Sequence, residues 1–180
     1  MKSVHVDAVA LDAAERAFEE RLECYLRLGH DREAAVRWVV EAGWPLSSPV
    51  LDIGTGKGLL AVELARRGLS VKSVDPCRSD QLLAARRAER AGCAAAVAFH
   101  AGTLETLAAG MGTFAAAAMM DVLHHLGAAD PALDLIGKLV RPGGRLLLAE
   151  FTDEGFEIVS RAHRIEGREH ERGPVDMRQA

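Results

Sequence analysis

The run Val50-Leu51-Asp52-Ile53-Gly54-Thr55-Gly56-Lys57-Gly58 sets three alternating glycines beside a carboxylate. Glycines in this pattern leave the backbone open, so a ligand can approach main-chain N–H groups without meeting a Cβ atom. The apolar residues before the turn read as a buried strand, and Leu59 to Arg67 reads as a helix whose N-terminus points at the same place. The chemistry this suits is the holding of an adenosyl or nucleotide ligand at the carboxyl end of a parallel sheet. A triphosphate cradle does not fit, because Gly58 rather than Ser or Thr follows Lys57 and the earlier glycine of that motif is missing. The dinucleotide spacing Gly-x-Gly-x-x-Gly is also absent. Asp52 would sit badly beside a pyrophosphate and well near an ammonium group. The plainer alternative is a strand-to-helix turn in some other α/β domain.

A second carboxylate supports the ligand reading. Ser70 to Val74 reads as a short strand ending in Asp75, with Pro76 next. That is about twenty residues beyond the glycine turn, where a carboxylate can accept both ribose hydroxyls. Its ordinary alternative is a helix cap. Ala94 to His100 reads as a third strand, followed by Gly102-Thr103-Leu104-Glu105. Phe114 to Met120 reads as a fourth, leading into Asp121-Val122-Leu123-His124-His125-Leu126. Leu139-Val140-Arg141-Pro142-Gly143-Gly144-Arg145 then reads as a helix end and a tight turn before a fifth strand, which ends at Glu150.

In this order and at these spacings, residues 48–151 resemble the class I S-adenosylmethionine (SAM) methyltransferases. The glycine run matches that family's first motif, the His-His turn its strand-4 motif, and the Arg-Pro-Gly-Gly turn its strand-5 motif. The resemblance implies SAM as cofactor. It implies a site formed by Asp52, Gly54, Thr55, Gly56, Gly58, Asp75, Pro76, Thr103, Leu104 and Asp121. Thr103 stands where the family commonly has an Asp that contacts the adenine amino group, so it offers a hydroxyl without a charge. The Asn/Asp-Pro-Pro-Tyr/Phe motif of enzymes that methylate planar amino groups is absent, which points away from bases and glutamine. The acceptor expected is a small molecule, and its nucleophile a hydroxyl. Methyl transfer from SAM then asks the protein to position that hydroxyl and remove its proton. By the resemblance, His124 lies at the acceptor side as the base and Glu150 as the carboxylate that orients it. The alternatives are a SAM-binding partner subunit without catalysis and a nucleotide-linked oxidoreductase.

His163, Glu166 and His170 are spaced by three and four, which would align them on one helical face as metal or anion ligands. Gly167 weakens that helix, and the default for such residues is a solvated polar face. No metal site is therefore expected. The three cysteines are scattered and form neither a disulfide framework nor a metal motif.

The elements that must position these residues follow from apolar spacing. The chain has 180 residues, 49% hydrophobic and 4% aromatic, with a formal net charge of -4. That suits one domain with a core, and no basic run suggests a nucleic-acid surface. No apolar run approaches bilayer length and no signal peptide is visible, so a cytoplasmic setting without membrane contact is expected. Residues 1–9 read as an arm. Leu11 to Leu28 reads as a helix, and Asp31 caps a second one through Val40, with Val36, Val39 and Val40 inward. Strands and helices alternate from there: 50–53, 59–67, 70–74, 79–91, 95–100, a short element near 103–109, 113–120, 130–140 and 145–151. Such alternation requires parallel strands with helices on both faces. The expectation is a three-layer, Rossmann-like, doubly wound α/β fold, of strand order 3-2-1-4-5 by the resemblance. It divides into a helical cap over 1–47, a core over 48–151, and a partly helical segment and tail over 152–180. The family's C-terminal antiparallel hairpin is expected to be missing, as in a truncated chain. That would leave the fifth strand as an edge able to pair with a second copy.

Overall fold

The computed structural model describes residues 8–173. Two helices come first, α1 (Ala8–Arg27) and α2 (Arg32–Ala42). The core runs β1 (Val50–Ile53), α3 (Leu59–Arg66), β2 (Val71–Asp75), α4 (Arg78–Arg90), β3 (Val97–Ala101), α5 (Leu104–Leu107), β4 (Phe114–Met120), α6 (Ala129–Leu139) and β5 (Val140–Ala149). A last helix, α7, spans Asp153–Ile165. The five strands form one sheet in the order β3-β2-β1-β4-β5, and every pairing is parallel. The expected order and fold class therefore hold.

Alternation along the central strands sends side chains to two separate cores. Val50 of β1 and Ala116 and Ala118 of β4 face Val36 and Val40 of α2 and Leu60 and Leu64 of α3. Leu51 and Ile53 of β1, with Ala117 and Met119 of β4, face Leu104, Ile136 and Leu139 on the other side. Strand β4 is buried from Phe114 to Met119 and is mostly alanine, so helices pack closely over it. The outer strand β5 is exposed over much of its length. Among the described residues no helix is long and apolar enough to cross a membrane.

Three boundaries differ from the sequence expectation. Ala8 and Val9 belong to α1 rather than to an arm, while residues 1–7 lie outside the described residues. Ala94–Ala96 forms a 3-10 turn, so β3 starts at Val97. Val140 already pairs with Phe114, with an irregularity in the ladder before Ala116 meets Arg145. The Pro-Gly-Gly segment is thus a bulge inside β5 rather than a turn before it. Gly144 is needed there, because a Cβ would lie 2.7 Å from the Ala115 carbonyl oxygen. The loop and helix expected from Gly173 to Met177 lie outside the described residues beyond Gly173.

The helical cap is fixed to the core by charge as well as by apolar contact. Cys24 and Tyr25 of α1 pack on Val159 and Ala162 of α7. Glu15 is buried in α1, where Arg86 Nε lies 3.0 Å and Arg90 Nη1 2.8 Å from its carboxylate. Arg87 lies over the Phe18 ring, 5.1 Å from its centroid. Arg86 and Arg87 therefore tie α4 to the cap. Leu26, near the end of α1, is exposed.

Two substitutions test this packing. Leu64 is fully buried, so Leu64→Ala should cost roughly 2–5 kcal/mol in urea unfolding. Ala118 is fully buried against α2 and α3, and Ala118→Leu should cost roughly 1–3 kcal/mol by overpacking.

Candidate active site

The cleft opens at the carboxyl ends of β1, β2 and β4, as expected for an open parallel sheet. It has a volume of about 640 Å³, within the range of small-molecule sites. The glycine turn forms its floor. Gly54 has φ 71°, and a Cβ there would meet the Val122 side chain at 2.2 Å. Gly58 has φ 87°, and its Cβ would meet Ala84 of α4 at 2.7 Å. Gly56, at φ 50°, faces open space and lines the cleft. Two of the glycines thus serve close packing, and the middle one gives a ligand access to the backbone.

Asp75 closes the turn against β2. Gly56 N donates to its Oδ2 at 2.8 Å, and Cys77 N donates to its Oδ1 at 2.7 Å. Each oxygen keeps a second lone pair. Pro76, Thr103 and Leu104 line the same end of the cleft. Thr103 also caps α5, paired reciprocally with Thr106.

Asp52 is placed differently from the expectation. It is fully buried behind the turn and does not line the cleft. Its Oδ2 accepts from Thr55 Oγ1 at 2.8 Å, and Thr55 in turn contacts Ser73 and Gln81. The reason is strand alternation: Asp52 follows Leu51 to the opposite face and points under the loop. It braces Thr55 instead of meeting a ligand's ammonium group. Burial pushes its pKa up to about 7, against hydrogen bonds from Thr55 and Ser73, with the Asp75 charge adding to the rise.

The other wall is built where β4 and β5 end. His124 sits in the 3-10 turn Leu123–His125 and is 4% exposed. Its Nδ1 lies 2.9 Å from Glu150 Oε1, and its own N–H donates to Glu150 Oε2 at 3.2 Å. Phe151 N donates to Glu150 Oε1 at 2.9 Å. Burial pushes the Glu150 carboxyl upward, but the hydrogen bonds from His124 and Phe151 outweigh it and hold its pKa below the ordinary value. The two residues expected to act together are therefore brought together. His124 Nε2 is buried and has no hydrogen-bond partner among the described residues.

Asp121 lines the cleft between these walls with φ 58°, a left-handed conformation uncommon outside glycine. Arg32 Nη1 lies 2.8 Å from its Oδ2. Burial pushes the Asp121 pKa up to about 6; Arg32 opposes this and the Glu150 charge adds to it. The Arg32 guanidinium also lies 5.0 Å from the Phe151 ring centroid and 5.7 Å from that of Tyr25. Arg32, Tyr25, Phe18, Lys57 and Phe151 line the cleft and were missed in the sequence. The cap residues sit far from the motifs in sequence, and only the Asp31 cap at the start of α2 hinted at Arg32.

The expected trio of His163, Glu166 and His170 is not one helical face. Helix α7 ends at Ile165, and Gly167 takes φ 69°. Glu166 instead pairs with Arg21 Nε at 2.6 Å and with Arg168. His163 lies near Tyr25, with Nε2 3.4 Å from its hydroxyl. His170 turns toward the His-His turn, 5.2 Å from the His124 ring and 6.0 Å from the His125 ring.

The titration of Asp52 gives a stability test. Its folded pKa lies above the ordinary value of 3.8. In the window between those two values only the folded state holds the proton, so stability falls as pH rises through it. Asp52→Asn does not titrate and should gain stability relative to the wild type between about pH 4 and pH 8 in urea titrations. Parallel pH profiles for the two proteins would show that the carboxyl ionises freely in the folded state.

A family model described as a methyltransferase domain matches residues 18–177. The chain is similar to the ubiquinone biosynthesis O-methyltransferase of Methylocella silvestris, with 38% identity over 100 residues. That match covers 56% of this chain and 38% of the relative. It is similar to the enzyme of the same description from Pseudomonas aeruginosa PAO1, with 27% identity over 81% of this chain and 62% of the relative. The chain thus spans between 38% and 62% of these relatives' length. Among solved structures, a SAM-dependent methyltransferase from Thiobacillus denitrificans in complex with S-adenosyl-L-homocysteine matches with a TM-score of 0.52 and 25% identity. This match covers 64% of this chain and 46% of that one.

Proposed function

The chain belongs to the methyltransferase-domain family, and from that premise we propose that it transfers a methyl group from SAM to a hydroxyl of a small molecule. The observation that carries this reading is the His124–Glu150 pair, Nδ1 to Oε1 at 2.9 Å, in the same cleft as the glycine turn and Asp75. The hydroxyl-directed activity in the names of the curated relatives supports the choice of acceptor.

SAM, when bound, supplies a methyl group already activated on a sulfonium. The chain's own residues do the rest. Asp75 accepts the ribose hydroxyls through its free lone pairs, and the open backbone at Gly56 lets the ligand lie close. Thr103 and Leu104 would flank the base, and Asp121 with Arg32 would hold the polar tail. On the acceptor side, Leu126, Ala132, Ile136 and Phe151 give an apolar wall, which suits a small, largely apolar acceptor. Glu150 accepts the Nδ1 proton of His124, so Nε2 carries the lone pair. The acceptor reaches Nε2 when the exposed His125 turns aside. With SAM and the acceptor bound, His124 Nε2 would take the acceptor's proton as the methyl group leaves the sulfonium for the oxygen. The products are the methyl ether and S-adenosylhomocysteine.

Two measurements test this. In calorimetry, Asp75→Ala should weaken SAM binding by roughly 1–3 kcal/mol through a lost charge-assisted hydrogen bond; unchanged affinity would refute the ribose assignment. Labelled SAM offered with a panel of small phenols should give methyl ethers, and His124→Ala should slow this by about 10²–10⁴-fold with SAM affinity intact. Binding of SAM without transfer to any acceptor would favour the non-catalytic reading, and full turnover in His124→Ala would remove the base.

A further inference from the structure

The methyl-transfer reading uses one histidine, yet three converge at this wall. His124, His125 and His170 place one nitrogen each within 4.8 Å of one another. His125 neighbours His124 in the 3-10 turn, and the rings lie 3.9 Å apart. His170 arrives from the far end of the chain. The segment that carries it is held at both ends. Arg168 pairs with Glu166, itself anchored to Arg21. Arg172 lies over the Phe156 ring at 4.9 Å. Gly173 presses on the His124 backbone so closely that a Cβ would fall 1.6 Å from its carbonyl oxygen.

We infer that His124, His125 and His170 form a binding site for a zinc-class divalent cation. Three imidazoles with no carboxylate among them select zinc, cobalt, nickel or copper over magnesium or calcium. His124 is set up as a ligand by its partner. Glu150 takes the Nδ1 side at 2.9 Å, which leaves Nε2 as the donor atom. A carboxylate behind a ligating histidine is the usual outer-shell arrangement. That Nε2 is buried and lacks a hydrogen-bond partner among the described residues, and the His125 and His170 rings lie 3.9 and 5.2 Å from the His124 ring. Four-coordinate zinc with bonds of about 2.0–2.1 Å would draw the three nitrogens somewhat closer than they stand. His125 is the exposed member of the three, so a change of its side-chain rotamer would make that adjustment at least cost to the packing. The three ligands leave a fourth position, as in zinc sites that keep an open coordination place. His124, His125 and His170 all line the cleft, so that position faces it.

An ion on Nε2 excludes a proton from the same atom. Occupancy would therefore stop His124 from acting as a base, so the cation would inhibit methyl transfer. This consequence rests on the methyl-transfer reading, whereas the site does not.

The test is a titration of the full-length protein with cobalt(II), read by its visible ligand-field absorption, with zinc added to displace it. One equivalent should bind with the intense bands of four-coordinate cobalt. Glu150→Gln should weaken binding by about 10–100-fold, and His170→Ala and His125→Ala should each weaken it by at least as much. His100→Ala, in β3, should leave it unchanged. Circular dichroism confirms that each variant is folded, and exposed His125 is the substitution least able to disturb the fold. No uptake by the wild type overturns the site, as does uptake that both His125→Ala and His170→Ala leave untouched. Cobalt binding without loss of methyl transfer would keep the site and remove His124 as the base.

Discussion

The cleft depends first on the hydrogen bond from Gly56 N–H to the Asp75 carboxylate at 2.8 Å. It ties the turn after β1 to the end of β2, two neighbouring strands of the sheet. A turn with three positive-φ glycines has little stiffness of its own. Asp75 holds it from the front and the buried Asp52–Thr55–Ser73 contacts hold it from behind. The first support is exposed to the cleft and the second is sealed from it. That division leaves one carboxylate at the cleft surface while the other stays in a dry environment that favours its neutral form.

The opposite wall repeats this logic with a single carboxylate. Glu150 ends the edge strand's side of the sheet and accepts from His124 N, His124 Nδ1 and Phe151 N. One side chain thus ties the turn after β4 to the residue after β5. These contacts hold its pKa low in spite of burial. The ring of His124 is oriented by the same contacts, so its position is set by the sheet and not by a mobile loop. Asp121 joins the two walls. Its left-handed backbone turns the chain sharply after β4, and its carboxylate reaches Arg32 from the cap. A strained residue is kept where the surrounding structure over-determines it.

Local features of the sequence were the legible ones. The glycine turn is readable because its spacing alone dictates open backbone, and Asp75 because strand and helix lengths fix its distance from that turn. The pairing of His124 with Glu150 followed from the resemblance, since adjacent strand ends bring the two together. What stayed hidden needed contact between distant segments. Burial of Glu15 depends on Arg86 and Arg90 across a helix interface. Arg32 enters the cleft because α1 and α2 fold over it. Asp52 was misread because the motif names a residue without saying which face of β1 it takes, and that is decided by which neighbour is buried where. His170 was grouped with His163 and Glu166 by helical spacing. The helix stops at Ile165, so that period no longer applied and the chain carried His170 elsewhere.

Three of the nine buried polar atoms without hydrogen-bond partners among the described residues lie together. His124 Nε2, His163 Nδ1 and His170 Nδ1 belong to rings that neighbour one another on a single wall. A buried, unsatisfied polar group costs about 1–3 kcal/mol. Apolar side chains of similar size would pack the same space without that cost, and Phe151 and Phe156 already do so alongside. The segment after α7 is held by the Glu166 ion pairs with Arg21 and Arg168, which do not involve these rings. Local conflict of this kind, in a chain whose other levels agree with one another, belongs at functional sites. It marks the His-rich wall as a part of the cleft where this chain's particular chemistry is set, on the far side from the Asp52 and Gln81 atoms that stay unpartnered beneath the glycine turn.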